Sequence, residues 1–333
     1  MNFISLPDNA RLKAKHPDMT KRILLTGSNG MVGKNILEHP LAKQVEFLTP
    51  AKQSLNLTDY HSVLDYLKTQ QPDLIIHSAG LVGGIHANIA SPVNFLIQNM
   101  EMGKNIVLAA REAGIKQMIN LGSSCMYPRN CKDSLPEEMI LTGELEPTNE
   151  GYALAKIMVL RLCQYIFREN PEYHYKTLIP CNLYGRFDKF APKHSHLIPA
   201  IIHKIHLAKT NSLPTVEIWG NGEARREFMC ASDLADIVMK SVSDYDQMPA
   251  ILNAGLGYDY SINEYYQIAA NIVGWQGEFV HDLTKPVGMQ RKLLNIDKLS
   301  AFGWQARSTL EQGIARAYAY YLESGVSHEL SVG

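Results

Sequence analysis

Tyr152 and Lys156, four residues apart, form the clearest chemical pairing in the chain. They follow a helix-start cluster, Pro147-Thr148-Asn149-Glu150, so the spacing predicts that both side chains lie on one helix face. A phenol with an ordinary pKa of about 10 is a poor acid-base catalyst at neutral pH, and a neighbouring ammonium stabilises the phenolate and lowers that value. Such a pair is common by chance. It gains weight here from a serine further upstream, Ser123, in the stretch Gly122-Ser123-Ser124-Cys125-Met126. That stretch follows Met118-Ile119-Asn120-Leu121, which reads as a buried strand. A thiol just past the carboxyl end of a strand, as at Cys125, is either inert packing or a reagent, and its own residues leave both open.

A third constellation, Thr26-Gly27-Ser28-Asn29-Gly30-Met31-Val32-Gly33, sits directly after a strand candidate and opens a stretch, 31–38, that can be helical. Glycines at the tight turn let the backbone approach a pyrophosphate, and the helix N-terminus offers unpaired N–H groups and the positive end of a dipole. Gly27 through Gly33 are therefore read as a dinucleotide-binding loop rather than a simple glycine turn. The next strand candidate runs Glu46-Phe47-Leu48-Thr49-Pro50-Ala51-Lys52, with no acid at its end to bind a ribose 2'-hydroxyl. Lys52 suits the extra phosphate of NADP(H), which is expected in preference to NAD(H).

Short apolar runs at 22–26, 45–48, 73–79, 118–122 and 176–182 alternate with helix-like stretches, the signature of β-α-β units and a parallel sheet. The expected fold is α/β: a doubly wound parallel sheet of the Rossmann type with a smaller α+β C-terminal lobe for the substrate. Residues 1–20 are expected to be an N-terminal extension, 21–185 the dinucleotide-binding domain and 186–333 mainly the substrate lobe. Leu252-Asn253-Ala254-Gly255 reads as one more strand and 262–273 as a helix, so segments around 225–275 are expected partly to rejoin the first domain.

The 333 residues carry 46% hydrophobic side chains and a formal charge of -1, which gives no global pull toward nucleic acid or an anionic membrane. No apolar run approaches the roughly 20 residues of a membrane helix, and the first 20 residues lack a secretory pattern. Five scattered cysteines without a C-x-x-C pair suit reduced thiols, so a cytoplasmic location is expected. Cys163 and Cys181 read as packed core thiols. His194, His196, His203 and His206 crowd together, but no carboxylate or cysteine accompanies them in a zinc spacing, so no metal is expected.

Taken together, the glycine loop, the strand-end Ser123 and Tyr152-x-x-x-Lys156 resemble the extended short-chain dehydrogenase/reductase family. A narrower likeness runs from about residue 22 to 320. Val82-Gly83-Gly84-Ile85-His86-Ala87-Asn88, Gly122-Ser123-Ser124-Cys125-Met126-Tyr127-Pro128, Leu145-Glu146-Pro147-Thr148-Asn149-Glu150, Asn182-Leu183-Tyr184-Gly185, Ser195-His196 and Arg226-Glu227-Phe228 resemble the GDP-L-fucose synthase branch. That resemblance implies NADPH-dependent epimerisation at C3 and C5 of a GDP-4-keto-6-deoxy sugar, followed by reduction at C4. It implies Cys125 and His196 as the proton-exchanging pair, Ser123 and Tyr152 as partners of O4, and Tyr152 as the proton donor for reduction. Lys156 would tune the tyrosine and hold the nicotinamide ribose. Asn182, Lys204, Trp219, Arg226 and Arg291 would bind the sugar nucleotide, and the protein would be a homodimer.

The chain departs from that branch at several points. Ser28-Asn29 replaces a basic glycine-loop residue, Cys230-Ala231-Ser232-Asp233 replaces a His-Val-Asp run, Gly151 stands where a proline often precedes the tyrosine, and Lys204 replaces an arginine. Two other activities stay compatible with the same residues. One is a C4 reductase without epimerisation, on a 6-deoxy-heptose or a 3,6-dideoxy sugar of the colitose type. The other is an NADPH-binding regulatory protein without catalysis.

Overall fold

The computed structural model describes residues 20–191, 195–285 and 289–324, so most of the expected N-terminal extension and His194 lie outside the described residues. In chain order the elements are β1 (Arg22–Thr26), α1 (Met31–Glu38), β2 (Glu46–Leu48), α2 (Tyr60–Gln70), β3 (Leu74–His77), α3 (Ile85–Ala90), α4 (Pro92–Glu112), β4 (Gln117–Leu121), α5 (Glu150–Glu169) and β5 (His174–Pro180). There follow β6 (Asn182–Tyr184), α6 (Leu197–Thr210), β7 (Thr215–Trp219), β8 (Arg225–Arg226), β9 (Phe228–Cys230), α7 (Ala231–Ser243) and β10 (Ile251–Ala254). The chain closes with β11 (Tyr260–Ser261), α8 (Ile262–Val273), β12 (Glu278–Asp282), β13 (Arg291–Lys292), α9 (Asp297–Ala301) and α10 (Leu310–Glu323).

Six parallel strands form the central sheet in the order β10-β5-β4-β3-β1-β2. The strand order reverses between β1 and β3, so loops leaving their carboxyl ends diverge and open a crevice there. Apolar runs such as Leu74-Ile75-Ile76 have no polar alternation because both faces are covered. Ile23, Leu25, Leu74, Ile76 and Ile119 feed one core with α1 and α7, and Leu24, Ile75 and Met118 feed the other with α2 and α4. This is the expected doubly wound sheet.

The sequence signal at 176–182 is one continuous run, but the structure breaks it at Cys181. Beyond Pro180 the chain leaves the central sheet, and Asn182–Tyr184 pair with Phe228–Cys230 instead. Strand β10 returns to the sheet beside β5, and α7 packs on α1. Helix α8 does not return with them. Its Tyr265, Tyr266, Ala269 and Val273 join α6 and α10 in a second core around Ile198, Ile201, Ile205 and Tyr321, because its apolar stripe faces those helices.

Helices α4 and α5 pack side by side across one sheet face, and the contact depends on Gly103. A Cβ there would overlap the Val159 Cγ2 methyl. At the start of α5, a Cβ on Gly151 would lie 3.0 Å from the Pro92 carbonyl oxygen, so this glycine lets α5 begin close against α4. We expect Gly103→Ala to destabilise the fold even though alanine is the better helix former by about 1 kcal/mol, because overpacking costs about 1–3 kcal/mol. Urea unfolding should show that Val159→Ala in the same chain recovers part of the loss. Strictly additive costs of the two substitutions would contradict the steric account.

Candidate active site

The glycine loop leaves β1 at Gly27, whose φ of +71° is in the left-handed region and whose Cβ position would lie 2.7 Å from the Ala79 nitrogen. The Gly30 N–H closes the turn on the Gly27 carbonyl at 3.0 Å, and Gly30 caps α1 in an extended conformation. Gly33 is buried one turn into α1, where a Cβ would overlap the Gly27 carbonyl and come within 2.5 Å of Ser28 Cα. Backbone, loop and helix end are thus drawn together with no side chain between them, which fits a pyrophosphate lying on the α1 N-terminus. Ser28 is buried, whereas Asn29 and Gly30 are exposed and Met31 and Val32 half-buried. Lys52 is exposed in the loop beyond β2, and Glu46, the acid of that strand, is at its other end paired with Arg22 at 3.3 Å.

A second group gathers at the carboxyl end of β4. The Ser123 hydroxyl accepts from the Cys125 N–H at 3.4 Å and caps the single turn Ser124–Met126. Tyr152 reaches the same place from the first turn of α5 and shares a hydrogen bond with Ser123. Lys156, one turn on, is buried, with Nζ donating to the Leu121 carbonyl at 2.9 Å and lying 5.8 Å from the centre of the Tyr152 ring. Asn99 on α4 supports this corner by accepting from the Leu81 N–H at 2.9 Å and donating to the Leu81 carbonyl at 3.1 Å.

The electrostatics of this group differ from the simple expectation in one respect. Burial raises the Tyr152 phenol above its ordinary value, the nearby Cys125 adds to that, and the Ser123 hydrogen bond only partly opposes it. Lys156 does not hydrogen-bond the phenol. Its ammonium is spent on the Leu121 carbonyl and is itself pulled down by burial to about 8, with Cys125 acting in the opposite direction. The phenol is therefore held protonated, in the state of a proton donor. Cys125 is 6% exposed, and burial pushes its thiol up against the downward pull of Lys292, Ser123 and Lys156.

His196 precedes α6 and is half-buried; burial, then the charge of Lys189, draws its imidazole below the ordinary range. The backbone beside it touches the other side of the cleft, since a Cβ on Gly84 would lie 3.1 Å from the Ser195 carbonyl oxygen. Lys204 and Trp219 meet, with the ammonium 5.7 Å from the indole centre, and the indole is joined there by Lys285 at 5.7 Å and the edge of His86 at 5.7 Å. Trp219 Nε1 donates to Glu217 at 2.8 Å, and 39% of the residue stays exposed. Asn182 donates to the Glu227 carbonyl at 3.0 Å, and Arg226 is half-buried with its guanidinium pulled down by burial.

Arg291 does not join either group. Its guanidinium and that of Arg225 grip the buried Asp259 carboxylate, each at 2.5 Å, and hold it below the usual carboxylate range despite burial. The sequence reading missed the residue beside it, Lys292, and missed Glu227. Strand alternation was the available signal, because neighbouring residues on a strand point to opposite faces. Among the described residues no three His, Cys, Asp or Glu side chains form a metal-binding group, and His203 and His206 bond Tyr321 at 2.8 Å and Tyr318 at 3.0 Å.

A nucleotide cradle beside a Ser-Tyr-Lys group defines a sugar-nucleotide oxidoreductase or epimerase site, and the family model for the NAD dependent epimerase/dehydratase family matches residues 23–255. The chain belongs to that family. It is 55% identical to GDP-L-colitose synthase of Yersinia pseudotuberculosis, over 90% of this chain and 98% of that protein. It is 46% identical to GDP-L-fucose synthase of Azorhizobium caulinodans, over 93% and 99% respectively. Among solved structures, GDP-mannoheptose C4 reductase from Campylobacter jejuni with NADP bound has a TM-score of 0.81 at 28% identity, covering 92% of this chain and 100% of that one.

The cradle geometry makes a direct prediction. Gly33→Ala should keep its helical signal in circular dichroism yet weaken NADPH binding at least about tenfold in a fluorescence titration, because the loop must open to admit the methyl. Undiminished binding by that variant would contradict the placement of the dinucleotide.

Proposed function

We propose that this chain is an NADPH-dependent epimerase and C4 reductase acting on a GDP-linked 4-keto-6-deoxy sugar. The observation that carries the reading is the convergence of Ser123, Cys125 and Tyr152 at one strand end, beside a glycine cradle that fits a dinucleotide. The C4 ketone acidifies the protons on both adjacent carbons, so inversion needs one group to remove a proton and another to return it on the opposite ring face. Cys125 and His196 have that role, with the thiol held protonated and the imidazole neutral. Ser123 and Tyr152 hydrogen-bond O4 and stabilise the enolate as its charge develops. NADPH, when bound, supplies the hydride that reduces C4. Tyr152 gives its proton to O4, and Lys156, by holding the Leu121 carbonyl, fixes the turn of α5 on which the tyrosine stands.

Preference for NADPH is supported by the absence of an acid after β2, by Lys52, and by the NADP carried by the heptose reductase of the same fold. Arg226, Lys204, Trp219 and Asn182 would take the nucleotide diphosphate and base, a reading supported by the preference of a diphosphate for cations in a partly desolvated cleft. Arg291 supports that site indirectly through Asp259. The enzyme is proposed to work in the cytoplasm as a homodimer, and exposed Ile85, Ile89 and Val93 on α3 and α4 support an interface there. Among the described residues no helix is long and apolar enough to cross a membrane.

A second reading is favoured by the higher identity to the colitose synthase than to the fucose synthase. Colitose is a 3,6-dideoxy sugar, so the substrate would lack the 3-hydroxyl and inversion would be confined to C5. Offering GDP-4-keto-6-deoxymannose and its 3-deoxy counterpart in turn, with NADPH or NADH, and identifying products by NMR separates the two. NADPH left unoxidised by both sugars would contradict the proposal.

Tyr152→Phe should lower kcat for C4 reduction by about a hundredfold or more while leaving NADPH affinity within about twofold. Full reduction by that variant would remove Tyr152 as the proton donor. Lys156 carries its charge below about pH 8 and loses it as the pH rises through that value. The rate of reduction should fall across the same interval, and a rate that stays flat well above it would contradict a role for the ammonium.

A further inference from the structure

We infer that Glu227 is the positioning residue of Arg226: its buried carboxylate fixes the joint between two sheets and so sets where the guanidinium meets the sugar nucleotide. This rests on the reading above that gives Arg226 the diphosphate. Arg226 ends β8, the middle strand of a three-stranded sheet with β11 and β13. Phe228 begins β9, which pairs with β6 in a different sheet. Glu227 is therefore the single residue in which the chain passes from one sheet to the other. The strand pairing stops at Arg226 on one side and at Phe228 on the other, so the joint between them has to be held by side chains.

Glu227 is 1% exposed, and both of its carboxylate oxygens are used. One accepts from the Leu294 N–H at 2.9 Å, just beyond β13. The other accepts from the N–H of Leu256 and, at 3.0 Å, from that of Gly257, in the loop that leaves β10 of the central sheet. Segments of three sheets thus meet on one side chain. Gly255 leaves room for it, since a Cβ there would lie 2.6 Å from the carboxylate. The main chain on either side is held as well: the Tyr265 hydroxyl of α8 donates to the Arg226 carbonyl at 2.8 Å, and the Asn182 amide to the Glu227 carbonyl at 3.0 Å. One residue earlier, Arg225 is fixed to Asp259 at 2.5 Å, so Arg226 is the side chain that β8 directs to its other face.

The donors around this carboxylate are all backbone N–H groups, which can never turn into acceptors. A carboxylate serves them from both oxygens, whereas an amide of the same shape must set its own NH2 group against an N–H on one side. A buried N–H left without an acceptor is costly, so the chain shifts to relieve it. The segment that would shift is the joint itself, and Arg226 is its immediate neighbour. A guanidinium grips a phosphate through two parallel N–H bonds, and a small turn of the strand that carries it loses one of them. Glu227 therefore touches no ligand, and its effect on the sugar nucleotide passes through Arg226.

The test measures GDP binding to the full chain by isothermal titration calorimetry. Glu227→Gln should weaken GDP about tenfold, while NADPH affinity, read by fluorescence, stays within about twofold of the wild type. Arg226→Met should weaken GDP at least as much. In the Arg226→Met background, Glu227→Gln should weaken GDP by less than about twofold more, because the guanidinium through which it acts is gone. Tyr265→Phe removes only the donor to the Arg226 carbonyl; it should weaken GDP about threefold and lose that effect in the same background. Undiminished GDP binding by a folded Glu227→Gln protein, or by Tyr265→Phe should the former not fold, overturns the proposal. An equal loss with and without Arg226 also overturns it, since that would make Glu227 a general prop of the fold. GDP binding left unchanged by Arg226→Met would instead remove the diphosphate reading, and the proposal with it.

Discussion

The hydrogen bond from Lys156 Nζ to the Leu121 carbonyl, 2.9 Å long and buried, is the contact on which the arrangement of the site depends. It joins the first turns of α5 to the last residue of β4, and everything chemical lies within a few residues of its two ends. Ser123 and Cys125 follow from Leu121; Tyr152 precedes Lys156 by one turn. An ammonium placed in a protein interior must find acceptors, and a strand-end carbonyl is a suitable one. The cost of burying that charge is visible in the fall of Lys156 to about 8, and the gain is a fixed spacing between serine, thiol and phenol. Gly103 and Gly151 make the same contact possible from behind, by letting α5 press against α4.

Around that contact the cleft is organised by burial and by cations. Burial keeps Tyr152 and Cys125 protonated and His196 neutral, which are resting states suited to groups that exchange protons with a carbon acid. Lys156, Lys292 and Arg226 are all pulled down by the same desolvation, so the cleft holds positive charge that water screens poorly. An enolate and a diphosphate are the anions such a cleft would take. The chain's near-neutral total charge hides this concentration, because acidic side chains such as Asp259, paired with Arg225 and Arg291, offset cations elsewhere.

Much of this was legible in the sequence because it was local. The glycine loop, the buried runs of β1, β3 and β4, and the i to i+4 pairing of Tyr152 with Lys156 are each set by residues within one or two elements. What the sequence did not disclose depends on contacts between distant segments. The run at 176–182 is uniformly apolar, yet β6 leaves the sheet because β9 offers it a partner from far along the chain. Helix α8 was recognisable as a helix, but its destination is decided by the complementary face of α6. Arg291 was assigned to the sugar nucleotide by resemblance, while the face it occupies follows from Asp259, more than thirty residues away. The expected lowering of Tyr152 by Lys156 failed for the same reason: a spacing cannot reveal that the ammonium has a backbone carbonyl to satisfy.

If one site performs both inversion and reduction, the two events must mark the same product molecule. A single turnover in deuterated water with NADPH carrying hydrogen of natural abundance at its transferable position, analysed by mass spectrometry and NMR, reads both marks at once. The account predicts product with deuterium at the carbon beside C4, protium from the cofactor at C4 itself, and inverted configuration at the deuterated carbon. Product reduced at C4 with no deuterium on either neighbouring carbon would contradict it.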